Sequence, residues 1–112
     1  MSNTHGSNWI RKDLRYAIYH RDNFCCVYCS RDLRNIDRKF RTLDHVVARE
    51  NGGCNSAHNL VTCCVWCNSS KQDTPLHQFI DDHSAAQVII QINKPVDRAI
   101  GKRLVNLERI VA

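Results

Sequence analysis

Seven cysteines stand in a chain of 112 residues, and four of them form two Cys-x-x-Cys pairs, Cys26/Cys29 and Cys64/Cys67. Two residues between cysteines let both thiolates converge on one ion from a tight turn. Two such turns supply the four sulfurs of a tetrahedral zinc site. Four thiolates leave the ion no open position, so its role is structural. An apparent binding energy on the order of 10 kcal/mol can then help fix a small fold. Cys25 and Cys63 adjoin these pairs; Cys26 and Cys64 are preferred because both then have the two-residue spacing. Cys25, Cys54 and Cys63 are expected to remain free thiols in or near the core. Buried or redox-active cysteines are the alternative that a single pair would leave open, and an odd total excludes a complete disulfide framework.

Residues 30–63 separate the pairs, so the knot brackets a substructure. Within it lie Asp44-His45, Asn51-Gly52-Gly53 and His58-Asn59-Leu60-Val61; Asn68 directly follows the second pair, and Lys71 comes three residues later. A neutral imidazole can take a proton from water near physiological pH. Carboxylate and amide oxygens suit a hard divalent cation.

This combination resembles the four-cysteine branch of the HNH endonuclease family, over about Trp9 to Pro75. The resemblance implies an α+β fold built on a ββα-metal (HNH) finger, with a structural four-cysteine zinc site and flanking N- and C-terminal helices. It implies DNA as substrate, hydrolysed to 5′-phosphate and 3′-hydroxyl ends. In family terms His45 is the general base, and Asp44 and Asn68 hold one catalytic Mg²⁺ or Mn²⁺. Asn59 is the middle signature residue, expected to tie down a loop and so orient His45. The last position is Asn68 where some members have histidine. One centre per chain implies nicking of one strand at a time.

Adjacent strand residues point to opposite faces, yet Asp44 and His45 must serve one site. The strand is therefore expected to twist, bulge or end there, and regular alternation through His45 counts against the assignment. Arg49 and Lys71 are candidate phosphate contacts, and Arg34, Arg38, Lys39 and Arg41 a candidate extension of that surface. Trp9 and Trp66 are expected to pack in the core, and His58 to be an exposed loop residue. Asn68 can also serve as a helix-start cap.

These residues need elements to carry them. Ser7 or Asn8 can cap a helix to about His20, with Ile10, Leu14, Ala17 and Ile18 on one face. A strand is expected near Arg41–Val47 and another around Leu60–Thr62, with Asn51-Gly52-Gly53 as the strongest turn signal between them. A helix should follow Cys64 and end near Thr74-Pro75. The tail from Ser84 reads as two helices broken at Asn93-Lys94-Pro95, the second with a stripe of Ile100, Leu104, Leu107 and Val111.

Length allows one domain. Residues 1–8 read as a disordered leader, 9–75 as the core and 76–112 as a helical extension of the same domain. A formal charge of +5 favours an acidic partner. No segment reaches the ~20 apolar residues of a membrane span, and the polar start lacks a signal-peptide core. The expectation is a cytoplasmic protein; a homodimer is possible but not indicated. A non-catalytic zinc module binding nucleic acid is the alternative, and it has no use for Asp44, His45 and Asn68 together.

Overall fold

The computed structural model describes residues 10–111, and side chains through residue 108. The expected leader, Trp9 and the helix caps Ser7 and Asn8 lie outside the described residues. Helix α1 (Lys12–Arg21) starts after Arg11, with no side chain capping it, and buries Tyr16, Ala17, Ile18, Tyr19 and Arg21. The turn holding Cys26 and Cys29 and an irregular basic stretch follow, ending in one 3₁₀ turn at Arg38–Phe40. Strands β1 (Arg41–His45) and β2 (Leu60–Cys64) pair antiparallel, from Arg41 opposite Cys64 to His45 opposite Leu60. Helix α2 (Val65–Lys71) leaves the end of β2 at once. This is the ββα unit that the resemblance implies.

Strand alternation sorts the hairpin's two faces. Leu43 joins Ile10, Tyr16, Ile18, Tyr19 and Leu60 in a core beneath α1. Thr42 and Asp44 face α2, whose Asn68 and Lys71 reach them. The loop between the strands depends on glycine twice. Gly52 has φ of 92°, where a Cβ is strained. At Gly53 the chain passes so close to Val47 that a Cβ would lie 1.7 Å from its carbonyl oxygen.

The C-terminal part adds three helices. Helix α3 (Leu76–Phe79) is a single turn that the sequence pattern does not announce. Helix α4 (Asp82–Ile92), capped by Asp81, lays Val88 and Ile92 against Val46 and Val61. A buried polar cluster ties it to α1 and β2. Asp22 takes Arg21 Nε at 2.8 Å, the Thr62 amide at 2.9 Å and Gln91 Nε2 at 2.8 Å. Arg21 also donates to the Leu60 and Ala57 carbonyls, so every nitrogen of its buried guanidinium has a partner.

Helix α5 (Arg98–Val111) packs against α1. Among its described side chains, which stop short of Val111, the buried residue is Gly101, where a Cβ would meet Asp13 O at 2.1 Å; Leu104 and Val105 pack nearby. The expected stripe is therefore rotated. Leu107 is 55% exposed, because close approach at the glycine sets which side meets α1. No helix among the described residues is long and apolar enough to cross a membrane.

Candidate active site

Cys26, Cys29, Cys64 and Cys67 bring their sulfurs within 4.8 Å of one another. Cys29 Sγ lies 3.8 Å from Cys64 Sγ, close to the ~3.8 Å edge of a sulfur tetrahedron around zinc with ~2.3 Å bonds. The donor set and its spacing fit that ion. The first turn is closed by Ser30 N to Cys26 O at 2.8 Å, with Ser30 at φ of 68°. In the second, Cys64 caps α2, its sulfur accepting from the Cys67 amide. A hydrogen bond from the Cys63 thiol lowers the Cys26 pKa, whereas burial raises those of Cys64 and Cys67. Of the remaining cysteines, Cys63 is buried and Cys25 half-buried. Cys54 is exposed beside Ser56 Oγ, against the expectation of a core position, because its loop passes over the surface.

Both cysteine turns reach toward Asp44. Tyr28, inside the first, donates its hydroxyl to Asp44 Oδ2 at 2.6 Å. Asn68, next to the second, donates its amide to Thr42 Oγ1 at 2.9 Å and Leu43 O at 3.3 Å. A carbonyl only accepts, so the NH₂ end of Asn68 is fixed on β1 and its oxygen turns the other way. Asn68 lies within α2 and not at its start, so the cap expected of it is supplied by Cys64.

Lys71 has no exposed surface. Its Nζ lies 3.1 Å from Asp44 Oδ2 and donates to the carbonyls of His45 at 3.0 Å and Val46 at 3.4 Å. This corrects the expectation of a phosphate contact, since a buried ammonium held by three oxygens cannot meet a DNA backbone. Burial raises the Asp44 pKa, while Tyr28, Lys71 and the His45 charge oppose that shift. Burial, then Asp44, pushes the Tyr28 hydroxyl up.

Pairing is regular up to His45 and the strand ends on that residue, without a bulge. Ending at His45 is one of the three outcomes expected of the strand, while regular alternation up to that residue starts Asp44 and His45 on opposite faces. Two features draw them together: Lys71 joins the Asp44 carboxylate to the His45 carbonyl, and the His45 ring is near enough for its charge to act on Asp44. Beyond the strand, Asn59 substitutes for a paired residue. Its Oδ1 accepts from the Val47 amide at 2.8 Å, and its Nδ2 donates to Val47 O at 3.0 Å and Cys54 O at 2.9 Å.

The His45 ring meets Asn55, a residue that no sequence motif singles out. Nε2 lies 2.7 Å from Asn55 Oδ1, which also takes Arg49 NH1 at 3.3 Å. An arginine can only donate, so the Asn55 atom is the oxygen and His45 Nε2 carries the proton. In the neutral ring Nδ1 then holds the lone pair. His58 is exposed as expected, and so is Arg49. Trp66 is not in the core: it is 45% exposed, stacked on Phe40 at 5.1 Å with Arg31 over its ring at 4.6 Å. Starting at the head of α2, its side chain meets Phe40 at the surface because the clustered cysteines occupy the inner side of that turn.

Residues 26–84 match the family model described as HNH endonuclease. The chain is also 39% identical over 67 residues to the CRISPR-associated endonuclease Cas9 of Corynebacterium diphtheriae. That match covers 58% of this chain but only 6% of the relative's length. No solved structure matches. The matched segment holds both cysteine pairs, Asp44-His45, Asn59 and Asn68, and runs past Pro75 into the start of α4. The chain belongs to the HNH endonuclease family.

Proposed function

We propose that the chain is a metal-dependent endonuclease that hydrolyses DNA phosphodiester bonds, nicking one strand per active site. The observation that carries this reading is the orientation of His45. Asn55 Oδ1 accepts a hydrogen bond from His45 Nε2, which makes Nδ1 the acceptor nitrogen of the neutral imidazole. His45 accepts the proton of the attacking water, and Asn59 holds the turn from which the ring projects.

Asp44 and Asn68 offer a carboxylate and an amide oxygen on the α2 face of the hairpin, a donor set for Mg²⁺ or Mn²⁺. Such an ion, when bound, stabilises charge on the departing 3′ oxygen and a non-bridging phosphate oxygen. Tyr28 and Lys71 hold Asp44 in place and keep its charge tolerable inside the protein. The four clustered thiols are read as the structural zinc site, distinct from this exchangeable one. Arg49, exposed and beside Asn55, is read as a contact to a flanking phosphate. Residues 9–75 form the nuclease core, with 76–112 as a helical extension of the same domain, in a cytoplasmic setting.

Supercoiled plasmid incubated with Mg²⁺ or Mn²⁺ tests the reading. The native chain should accumulate the nicked form, and His45→Ala should not. Equal activity in both would remove His45 as the base. DNA binding with no metal-dependent cutting would favour the non-catalytic zinc module.

A further inference from the structure

The Asp44–Lys71 pair is buried between the hairpin and α2, its side chains 5% and 0% exposed. Lys71 Nζ lies 3.1 Å from Asp44 Oδ2 and donates to His45 O at 3.0 Å and Val46 O at 3.4 Å. Three acceptors thus take the three protons of the ammonium. Tyr28 donates to the same Oδ2 at 2.6 Å. That half of the carboxylate is satisfied by the protein itself.

The other half is not. No described residue donates to Asp44 Oδ1 or to Asn68 Oδ1. Asn68 cannot turn over, because Thr42 Oγ1 gives its proton to Cys63 O at 2.8 Å and can only accept from the Asn68 NH₂. Neither oxygen is sealed from solvent, since Arg41 Nε is the one buried side-chain nitrogen or oxygen without a partner among the described residues. Two hard oxygens, one charged and one neutral, stay open once Lys71, Tyr28 and Thr42 have taken theirs.

A divalent ion on those oxygens shares the carboxylate with a fixed ammonium. Lys71 already supplies the positive charge that a buried Asp44 needs, and like charges on one carboxylate oppose each other. We infer that Lys71 is a built-in counter-ion. It keeps the centre assembled without a divalent cation and holds the affinity for that cation low, so that occupancy follows the free concentration of the ion. The inference rests on Asp44 and Asn68 being the ligands of the exchangeable ion.

The test is a Mn²⁺ titration of the zinc-loaded full chain without DNA, free Mn²⁺ being read by electron paramagnetic resonance. It is run at about pH 8, where protons compete least for Asp44. Lys71→Met removes the ammonium; Lys71→Gln removes the charge but keeps an amide donor for the carbonyls. Both should bind Mn²⁺ at least about tenfold more tightly than the native chain, and Mn²⁺ should raise their melting temperatures more than the native one. A merely structural lysine predicts the reverse, since a loosened Asp44 binds the ion less well. Variants that fold only with Mn²⁺ present also support the inference, the ion having taken over the counter-charge. Failure of Mn²⁺ to restore their fold, or an affinity no higher than native, overturns it. Asn68→Ala should weaken Mn²⁺ binding in the native and Lys71→Met chains alike. With that weakening present, an unchanged affinity in the Lys71 variants removes the role of Lys71 alone. Without it the ion binds elsewhere, and the ligand assignment falls together with the inference.

Discussion

Tyr28 donates its hydroxyl to Asp44 Oδ2 across 2.6 Å, although Tyr28 belongs to the first cysteine turn and Asp44 to the hairpin. The same carboxylate oxygen takes Lys71 from α2. The frame and the candidate catalytic centre are therefore one connected structure, and the turn between Cys26 and Cys29 does more than hold sulfur. Tyr28→Phe keeps the ring on Phe79, 5.3 Å away, and deletes only the donor. A hydrogen bond to a charged group contributes about 1.5–3 kcal/mol. The variant should retain zinc, and need roughly tenfold more Mn²⁺ for half-maximal nicking.

Asp44 and Lys71 form a buried ion pair, so removing one partner strands the other. Lys71→Met should destabilise the chain by about 3–5 kcal/mol in urea unfolding. The double variant D44N/K71M should recover much of that loss, because neither charge is then left alone. A double variant no more stable than Lys71→Met would show that the carbonyl contacts of Lys71, not the pair, carry its effect.

Zinc removal should unfold the domain. Cys67→Ala, or a strong chelator, is expected to abolish the cooperative thermal transition followed by circular dichroism. Cys25→Ser and Cys54→Ser should each retain one equivalent of zinc. Loss of stoichiometric zinc in either would reassign the ligand set.

The loop before β2 should tolerate little change. Gly53→Ala drives a methyl into the Val47 carbonyl that Asn59 also binds. A loss of about 2 kcal/mol or more is expected, with nicking falling alongside. Asn59→Ala should act in the same direction by releasing both Val47 and Cys54. Unchanged melting temperatures in both variants would contradict this account of the loop.

What was legible in the sequence was chemistry with a fixed local spacing. The cysteine pairs announce themselves by their spacing, and the segment that holds Asp44-His45, Asn59 and Asn68 by its resemblance to the family. The two strands and α2 followed from turn signals around Asn51-Gly52-Gly53 and from the cysteines. Contacts between distant segments were not legible. Tyr28 meets Asp44, and Asn55 meets His45, only after the chain folds back. Lys71 misled because lysines are almost never fully buried without a partner, and its partner lay in another element. Trp66 misled similarly, its ring being covered by Phe40 and Arg31 at the surface. On α5, apolar periodicity pointed to Leu107, whereas Gly101 decides which side approaches α1.

Chemical rescue tests most directly whether His45 supplies the proton acceptor. Removing a general base lowers the rate roughly 10²–10⁴-fold. His45→Gly should therefore nick supercoiled plasmid at least about a hundredfold more slowly with Mg²⁺ or Mn²⁺, and added imidazole should restore part of the rate. A folded, zinc-loaded His45→Gly chain that nicks at the native rate without imidazole would contradict the account.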